Sequence, residues 1–256
     1  MKTATKIAVT YEKGGVGKTT TAVNMSALLA DKGHKVLLVD LDPQSYATGY
    51  YALYSDDLPS IYDVMTRDYP AEKAIRHTHI ENLDLLPCTF NMSSIETHLA
   101  ARPMRQEYVL KDALTDIAAS YDFIILDCPP AGLRIKTNAL AAATGLILPT
   151  IPDDYAIQGL RCISTQLVNM KRGSNPKLEV YGVLITLDER NANKRAYKEA
   201  LQAQTIFPCF RTTIRKNTTL SAAINAHEPI QRYDRTSNGC KDYTAFVDEL
   251  LEKLEA

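Results

Sequence analysis

The stretch Lys6 to Asp31, KIAVTYEKGGVGKTTTAVNMSALLAD, moves from a short apolar run through a loop of glycine and lysine into a segment with helical spacing. Lys6 to Tyr11 reads as a buried strand and Thr19 to Asp31 as a helix, with Ala22, Met25, Ala27, Leu28 and Leu29 at its apolar positions. Gly33 is the expected cap at the end of that helix. The loop between them, Lys13 to Thr20, leaves a strand and opens a helix, which is the setting a phosphate-binding loop requires. Gly14, Gly15 and Gly17, with Val16 among them, let the backbone curl so that its N–H groups face inward, and the helix N-terminus adds positive potential. Lys18 would then reach the β- and γ-phosphates of ATP, Thr19 would ligate Mg²⁺ through its hydroxyl, and Thr20 would make a further phosphate contact. An isolated glycine pattern can be an incidental turn, but the strand before this one and the helix after it make that explanation a poor one.

The strict pattern G-x-x-x-x-G-K-[ST] wants glycine at position 12, where this chain has Glu12. It has instead a second lysine, Lys13, at the mouth of the loop. This KGG-x-GK-[ST] form is the deviant Walker A motif.

Moving outward, continuous apolar runs ending in carboxylates or polar residues recur at Lys35 to Asp40, Tyr121 to Asp127, Gly145 to Ile151 and Val180 to Leu187. Helical stretches fall between them at Gln106 to Ala119, Ala156 to Met170 and Lys194 to Gln204, and a closing helix is expected from Asp242 onward. Alternation of this kind predicts an α/β fold, a doubly wound and mostly parallel sheet with helices on both faces, in one domain. Ligands of such sheets bind beyond the carboxyl ends of the strands, here Glu12–Thr20, Asp40–Gln44, Asp127–Pro130 and Asp188–Arg190. Asp127 suits the aspartate that holds magnesium through its water shell, Asp40 stands as a second metal candidate, and Asp42, past its strand in a turn set by Pro43, is free to orient an attacking water. A lone strand-end aspartate is more often a turn or helix cap; three of them beside a phosphate loop point to chemistry.

Composition excludes several classes. The apolar run Ala139 to Ile151 is too short to span a bilayer, and the N-terminus develops no secretory core, so a cytoplasmic protein is expected. Five cysteines without a CxxC pair argue against a disulfide framework or a metal cluster. The formal net charge is −1, yet Lys171 to Lys241 holds 13 Lys and Arg against 6 Asp and Glu, leaving −8 for the remainder.

These motifs resemble those of the ParA/Soj group of chromosome and plasmid partition ATPases, within the wider class that includes MinD. VDLDPQ is similar to the family's switch I, DCPPAG to its Walker B and switch II, IPDDYAIQGL to the strand and helix that follow, and GVLITLDER and KNTTLSAAINAHEPI to its later segments. The chain looks like the short form, without an extra N-terminal DNA-binding domain. The resemblance implies an ATP-sandwich homodimer in which Lys13 of one subunit contacts the phosphates held by the other and Asp42 positions the hydrolytic water. It also implies weak ATPase activity stimulated by a centromere-binding, ParB-like partner, and ATP-dependent binding to nonspecific DNA on the nucleoid. Arg190, Lys194, Arg195, Arg215 and Lys216 are the DNA-contact candidates, although Thr219 and Ala222 replace residues the family often carries as basic and acidic. Thr186 and the Thr213 to Lys216 segment are candidates for adenine contact. Six tyrosines, at 46, 50, 51, 54, 62 and 69, are expected mainly to pack the sheet edge, with a partner surface as the alternative. Among rivals, a MinD-like membrane protein should end in a basic amphipathic helix, whereas FVDELLEKLEA is acidic. An iron–sulfur carrier would need more than Cys128 near the nucleotide, and a metabolic ligase gives no reason for Lys13. A positioning ATPase for another cargo shares the whole mechanism.

Overall fold

Residues with apolar side chains on both faces of an extended backbone can be satisfied only inside a covered sheet. The computed structural model, which describes residues 3–189 and 191–255, builds that sheet from eight strands. They are β1 (Thr5–Val9), β2 (Val36–Asp40), β3 (Arg76–His77), β4 (Leu83–Leu86), β5 (Phe123–Asp127), β6 (Gly145–Thr150), β7 (Glu179–Asp188) and β8 (Cys209–Arg215). Their order is β3-β4-β2-β5-β1-β6-β7-β8, and every pairing is parallel except the edge pair β3 and β4. The helices are α1 (Lys18–Asp31), α2 (Tyr46–Tyr50), α3 (Ile61–Thr66), α4 (Ala71–Ala74), α5 (Ile95–Ala101), α6 (Val109–Ala113), α7 (Leu133–Ala142), α8 (Ala156–Arg172), α9 (Ala192–Ala203), α10 (Thr218–Asn225), α11 (Ile230–Tyr233) and α12 (Asn238–Glu255).

Alternate residues of each central strand enter opposite cores. Ile7 and Val9 of β1 and Ile125 of β5 join α1 and α12 through Leu29, Phe246 and Leu250. Ala8, Ile124 and Leu126 meet α3 to α8 on the other face through Ile61, Leu110, Ala139 and Leu160. Each fully buried side chain of this size stabilises the fold by roughly 1.5–3 kcal/mol relative to exposure. β1 lies between β5 and β6, so the chain winds away from it in both directions. The crevice at its carboxyl end is where a doubly wound sheet receives a ligand.

Some elements differ from expectation. The helix expected over Gln106 to Ala119 is the short α6 followed by a 3-10 turn at Ala118–Ser120, because i→i+3 bonds (Thr115 N–H to Asp112 carbonyl, Ala118 N–H to Thr115 carbonyl) tighten the chain into β5. β4 was not anticipated because Asp84 interrupts its apolar run; the Tyr121 hydroxyl donates to that carboxylate at 2.8 Å. β8 reads as polar because it is an edge strand, with Phe210 and Ile214 turned inward on either side of Arg211, Thr212 and Thr213. Gly33 does close α1: with φ 89 it donates to the Ala30 carbonyl while His34 donates to that of Leu29, the double bond of a Schellman motif. Of the six tyrosines, Tyr50, Tyr51 and Tyr62 are buried as expected, whereas Tyr46 and Tyr54 are exposed. Among the described residues no helix is long and apolar enough to cross a membrane.

Candidate nucleotide site

The loop after β1 adopts the curl that its glycines allow. Gly15 (φ 73) and Gly17 (φ 83) take left-handed backbone, and Gly17 forms the N-cap of α1, so the first N–H groups of a 14-residue helix point out of its end. Val16 is fully buried, and its carbonyl accepts the Thr186 hydroxyl at 2.8 Å. Thr186 thus reaches the site from β7, but its hydroxyl is engaged in pinning the loop. Lys18 is 6% exposed and donates to the Lys13 carbonyl at 3.0 Å across the loop mouth. Burial lowers its pKa, while the Asp127 and Asp42 carboxylates work in the opposite direction. The site therefore holds a desolvated cation inside a ring of amides, an arrangement suited to a polyanion.

Three carboxylates face it from two adjacent strands. Asp40 and Asp127 are register partners at the tips of β2 and β5, and both are fully buried. Asp40 is provided for: its Oδ2 accepts the backbone N–H and hydroxyl of Thr48 at 2.8 and 2.7 Å, and its Oδ1 accepts the Asp42 N–H. Burial nevertheless raises its pKa to about 6. Asp42 accepts the Gln44 N–H at 3.0 Å, which fixes its side chain at the start of the turn. Asp127 differs from both. Among the described residues neither of its oxygens has a hydrogen-bond partner, and the Thr19 hydroxyl comes near without reaching hydrogen-bond geometry. Burial, with Asp40 adding to it, holds this carboxyl well above the usual range. Two buried carboxylate oxygens without partners are costly. A hydrated divalent cation between Asp127, Thr19 and the loop would satisfy them, so the donor set fits magnesium.

The mouth of the loop holds charged residues whose partners were not anticipated. Lys13 pairs with Asp153, just past β6, at 2.5 Å, so its ammonium is engaged by a carboxylate outside its own loop. Glu12 accepts from Lys136 of α7 at 2.8 Å and from Gln166 of α8 at 2.9 Å. Burial acts to raise its pKa, but these donors bring it below the usual range. The side chain standing where the strict motif has glycine is thus a tie between the loop and two helices. Further along, Glu96 of α5 accepts the N–H groups of Arg134 and Ile135 at 3.0 to 3.1 Å, capping α7 where the resemblance places switch II. Asp153 could have been sought in the sequence, since it follows a strand on the ligand edge; Thr48, Lys136 and Glu96 carry no local signal.

The DNA-contact candidates lie apart from this centre, around the ends of β7 and β8. Glu189 pairs with both Lys194 and Lys216, at 3.0 and 2.6 Å, and Arg195 pairs with Glu199. Arg215 is held by Asp242 of α12 through its backbone N–H and two guanidinium nitrogens. Arg190 lies outside the described residues. A cleft of about 830 Å³ lined by Asp188, Thr213, Arg215 and Asp242 opens at this end of the sheet.

Residues 4–180 match the AAA domain family model. Over 250 residues the chain is 35% identical to the chromosome partitioning protein ParA of Myxococcus xanthus, covering 96% of this chain and 88% of that protein. It is 36% identical over 246 residues to the sporulation initiation inhibitor protein Soj of Bacillus subtilis, covering 95% and 97%. The chain belongs to the ParA/Soj family of partition ATPases. Among solved structures, the fold matches cobyrinic acid a,c-diamide synthase from Mycobacterium smegmatis with bound ADP and magnesium, at a TM-score of 0.85 and 30% identity over 99% of this chain and 96% of that one. In this ParA/Soj chain the segments that carried the resemblance, VDLDPQ and DCPPAG, begin at the tips of β2 and β5; Asp42 and Asp127 act on the Lys18 charge, and Pro130, Ala131 and Gly132 line a cleft with Glu12.

Proposed function

We propose that this ParA/Soj family member is an ATP-driven switch that binds ATP with magnesium, dimerises around it and holds nonspecific DNA until a partner triggers hydrolysis. The observation that carries the reading is Asp127, a fully buried carboxylate with two unpartnered oxygens beside the desolvated Lys18. Amides of Gly14 to Thr20 and the Lys18 ammonium would bind the β- and γ-phosphates, with Thr19, Asp127 and the already restrained Asp40 holding the metal. Bound magnesium supplies neutralisation of the phosphate oxygens. Asp42 orients water at the γ-phosphate, and Lys13, released from Asp153, supplies charge across the dimer as an arginine finger does in trans. Hydrolysis is then slow in the lone protein and accelerated by a centromere-binding, ParB-like partner. DNA binding draws on Lys194, Arg195, Arg215 and Lys216, which must exchange their present carboxylates for phosphates; a basic Arg190 precedes them in sequence.

The likeness to a structure described as a diamide synthase supports a second reading, an ATP-dependent ligase. The two part on one experiment: binding of the purified protein to random-sequence duplex DNA with ATP, ADP or no nucleotide across a salt series, with hydrolysis followed alongside. Binding that needs ATP and falls steeply with salt supports the switch. ATP turnover that ignores DNA and awaits a small carboxylic acid and an amide donor would replace it with the ligase.

A further inference from the structure

Charge is segregated along this chain, and folding treats its two ends differently. Residues 171–241 carry 13 basic against 6 acidic residues, but α12 lays a row of acids against them: Asp242 takes Arg215, and Glu249 and Glu252 take Arg211. Residues 42–128 hold 14 acidic against 6 basic residues, and among the described residues the arginine pairs there are mostly local, Arg67 with Asp63, Arg102 with Asp68 and Arg105 with Asp112, with Arg134 of α7 reaching Glu96. Folding sets three acids of α12 against two of the basic residues, whereas acidic residues around α4 and α6 meet few cations among the described residues.

Within that acidic region lies a groove of about 590 Å³ between the α3–α4 turn, the loop after α5 and α6. Val64, Tyr69 and Val109 form an apolar floor. Met104 stands on the rim at 78% exposure, the most exposed of the large apolar side chains among the described residues. Arg102 and Arg105 are paired with Asp68 and Asp112 at 3.3 and 2.8 Å, while Glu72 and Asp116 have no cation within ion-pair distance among the described residues. The α6 wall is joined to α7 by Asn138, whose amide oxygen accepts the Leu110 N–H and whose nitrogen donates to the Gln106 carbonyl.

We propose that this groove docks a basic amphipathic segment of a partner protein. Its apolar face would cover Met104 and the floor, and its cations would meet Glu72 and Asp116. A second copy of this chain is the poorer occupant, because Lys194, Arg211, Arg215 and Lys216 at its own far end already face Glu189, Asp242, Glu249 and Glu252. Docking here leaves the basic end of the sheet open to a polyanion and sits one helix from the segment that Glu96 caps. The inference does not depend on DNA binding.

The test uses the full chain and a fluorescein-labelled leucine–lysine peptide of amphipathic helical periodicity, with a permuted peptide of the same composition as control. Anisotropy should show the amphipathic peptide binding at least about tenfold more tightly than the control. Affinity should weaken with salt and drop about tenfold or more both in Glu72→Lys with Asp116→Lys and in Met104→Asp. The last position is exposed enough for that variant to fold, which matched thermal melting would verify. Equal binding of the two peptides, or indifference to Met104→Asp, would reduce the groove to diffuse negative charge and overturn the proposal. Self-association of the wild type at low salt that the Glu72→Lys with Asp116→Lys variant abolishes would overturn it in favour of a second copy.

Discussion

Lys13 and Asp127 stand at opposite ends of one question, which is what each side chain does before a ligand arrives. Lys13 is already engaged by Asp153, so its removal should leave nucleotide affinity within about twofold of wild type, while a charge supplied in trans is worth roughly 10³-fold or more in turnover. Lys13→Ala should therefore bind labelled ATP normally, stay monomeric by sedimentation with ATP and lose hydrolysis; ordinary turnover would remove the trans role. Asp127 stores a penalty instead. Its folded-state pKa lies above the unfolded value near 4, as does that of Asp40 at about 6. The fold thus holds these protons more tightly than the unfolded chain does, so the stabilisation is full below about pH 4 and is lost as pH rises through the folded values. Nucleotide-free Asp127→Asn should be more stable than wild type by about 1–3 kcal/mol at pH 7 and lose that advantage toward pH 4. Melting curves that run parallel across this range would show that Asp127 is not strained.

At the scale of elements, α7 begins at Gly132 (φ 101) with no side chain of its own to cap it, and the cap comes from α5. Glu96 also places negative charge against the positive end of the helix. Glu96→Ala should cost about 0.5–2 kcal/mol, concentrated in the first turn of α7. Hydrogen exchange at Arg134 and Ile135 should accelerate roughly tenfold while the amides of β5 keep their protection. Uniform acceleration across the sheet would mean that Glu96 supports the whole face rather than this segment. The expectation of a long helix from Gln106 failed in the same neighbourhood. Periodicity there is real, but the chain must turn within a few residues to enter β5, and a sequence window does not contain that demand.

For the molecule as a whole, the charge pattern of the sequence is not the charge pattern of the surface. A helix read as a closing amphipathic segment turns out to screen β8, with Glu252 on Arg211 at 3.1 Å and Glu249 accepting the Arg211 and Thr212 N–H groups. Glu252→Gln should leave the Arg211 guanidinium with Glu249 alone, without disturbing that backbone anchor. Its affinity for random duplex DNA at low salt should rise about two- to fivefold, with a salt dependence steeper by up to about one unit. An unchanged slope would place the DNA surface elsewhere.

The sequence alone determined the loop, the helix it opens and the carboxylates at the strand tips. These features lie in single short windows where glycine, lysine and aspartate have few other uses at the end of a buried strand. It also determined the parallel sheet, because runs buried on both faces have no other home. Only the tertiary structure decided who partners whom. Thr48 restrains Asp40, Asp153 holds Lys13, Lys136 and Gln166 hold Glu12, and α12 draws the charge from the basic end. Those pairings join residues from 8 to 154 positions apart. They arise because side chains brought together by sheet order must satisfy or neutralise one another, which no local pattern records.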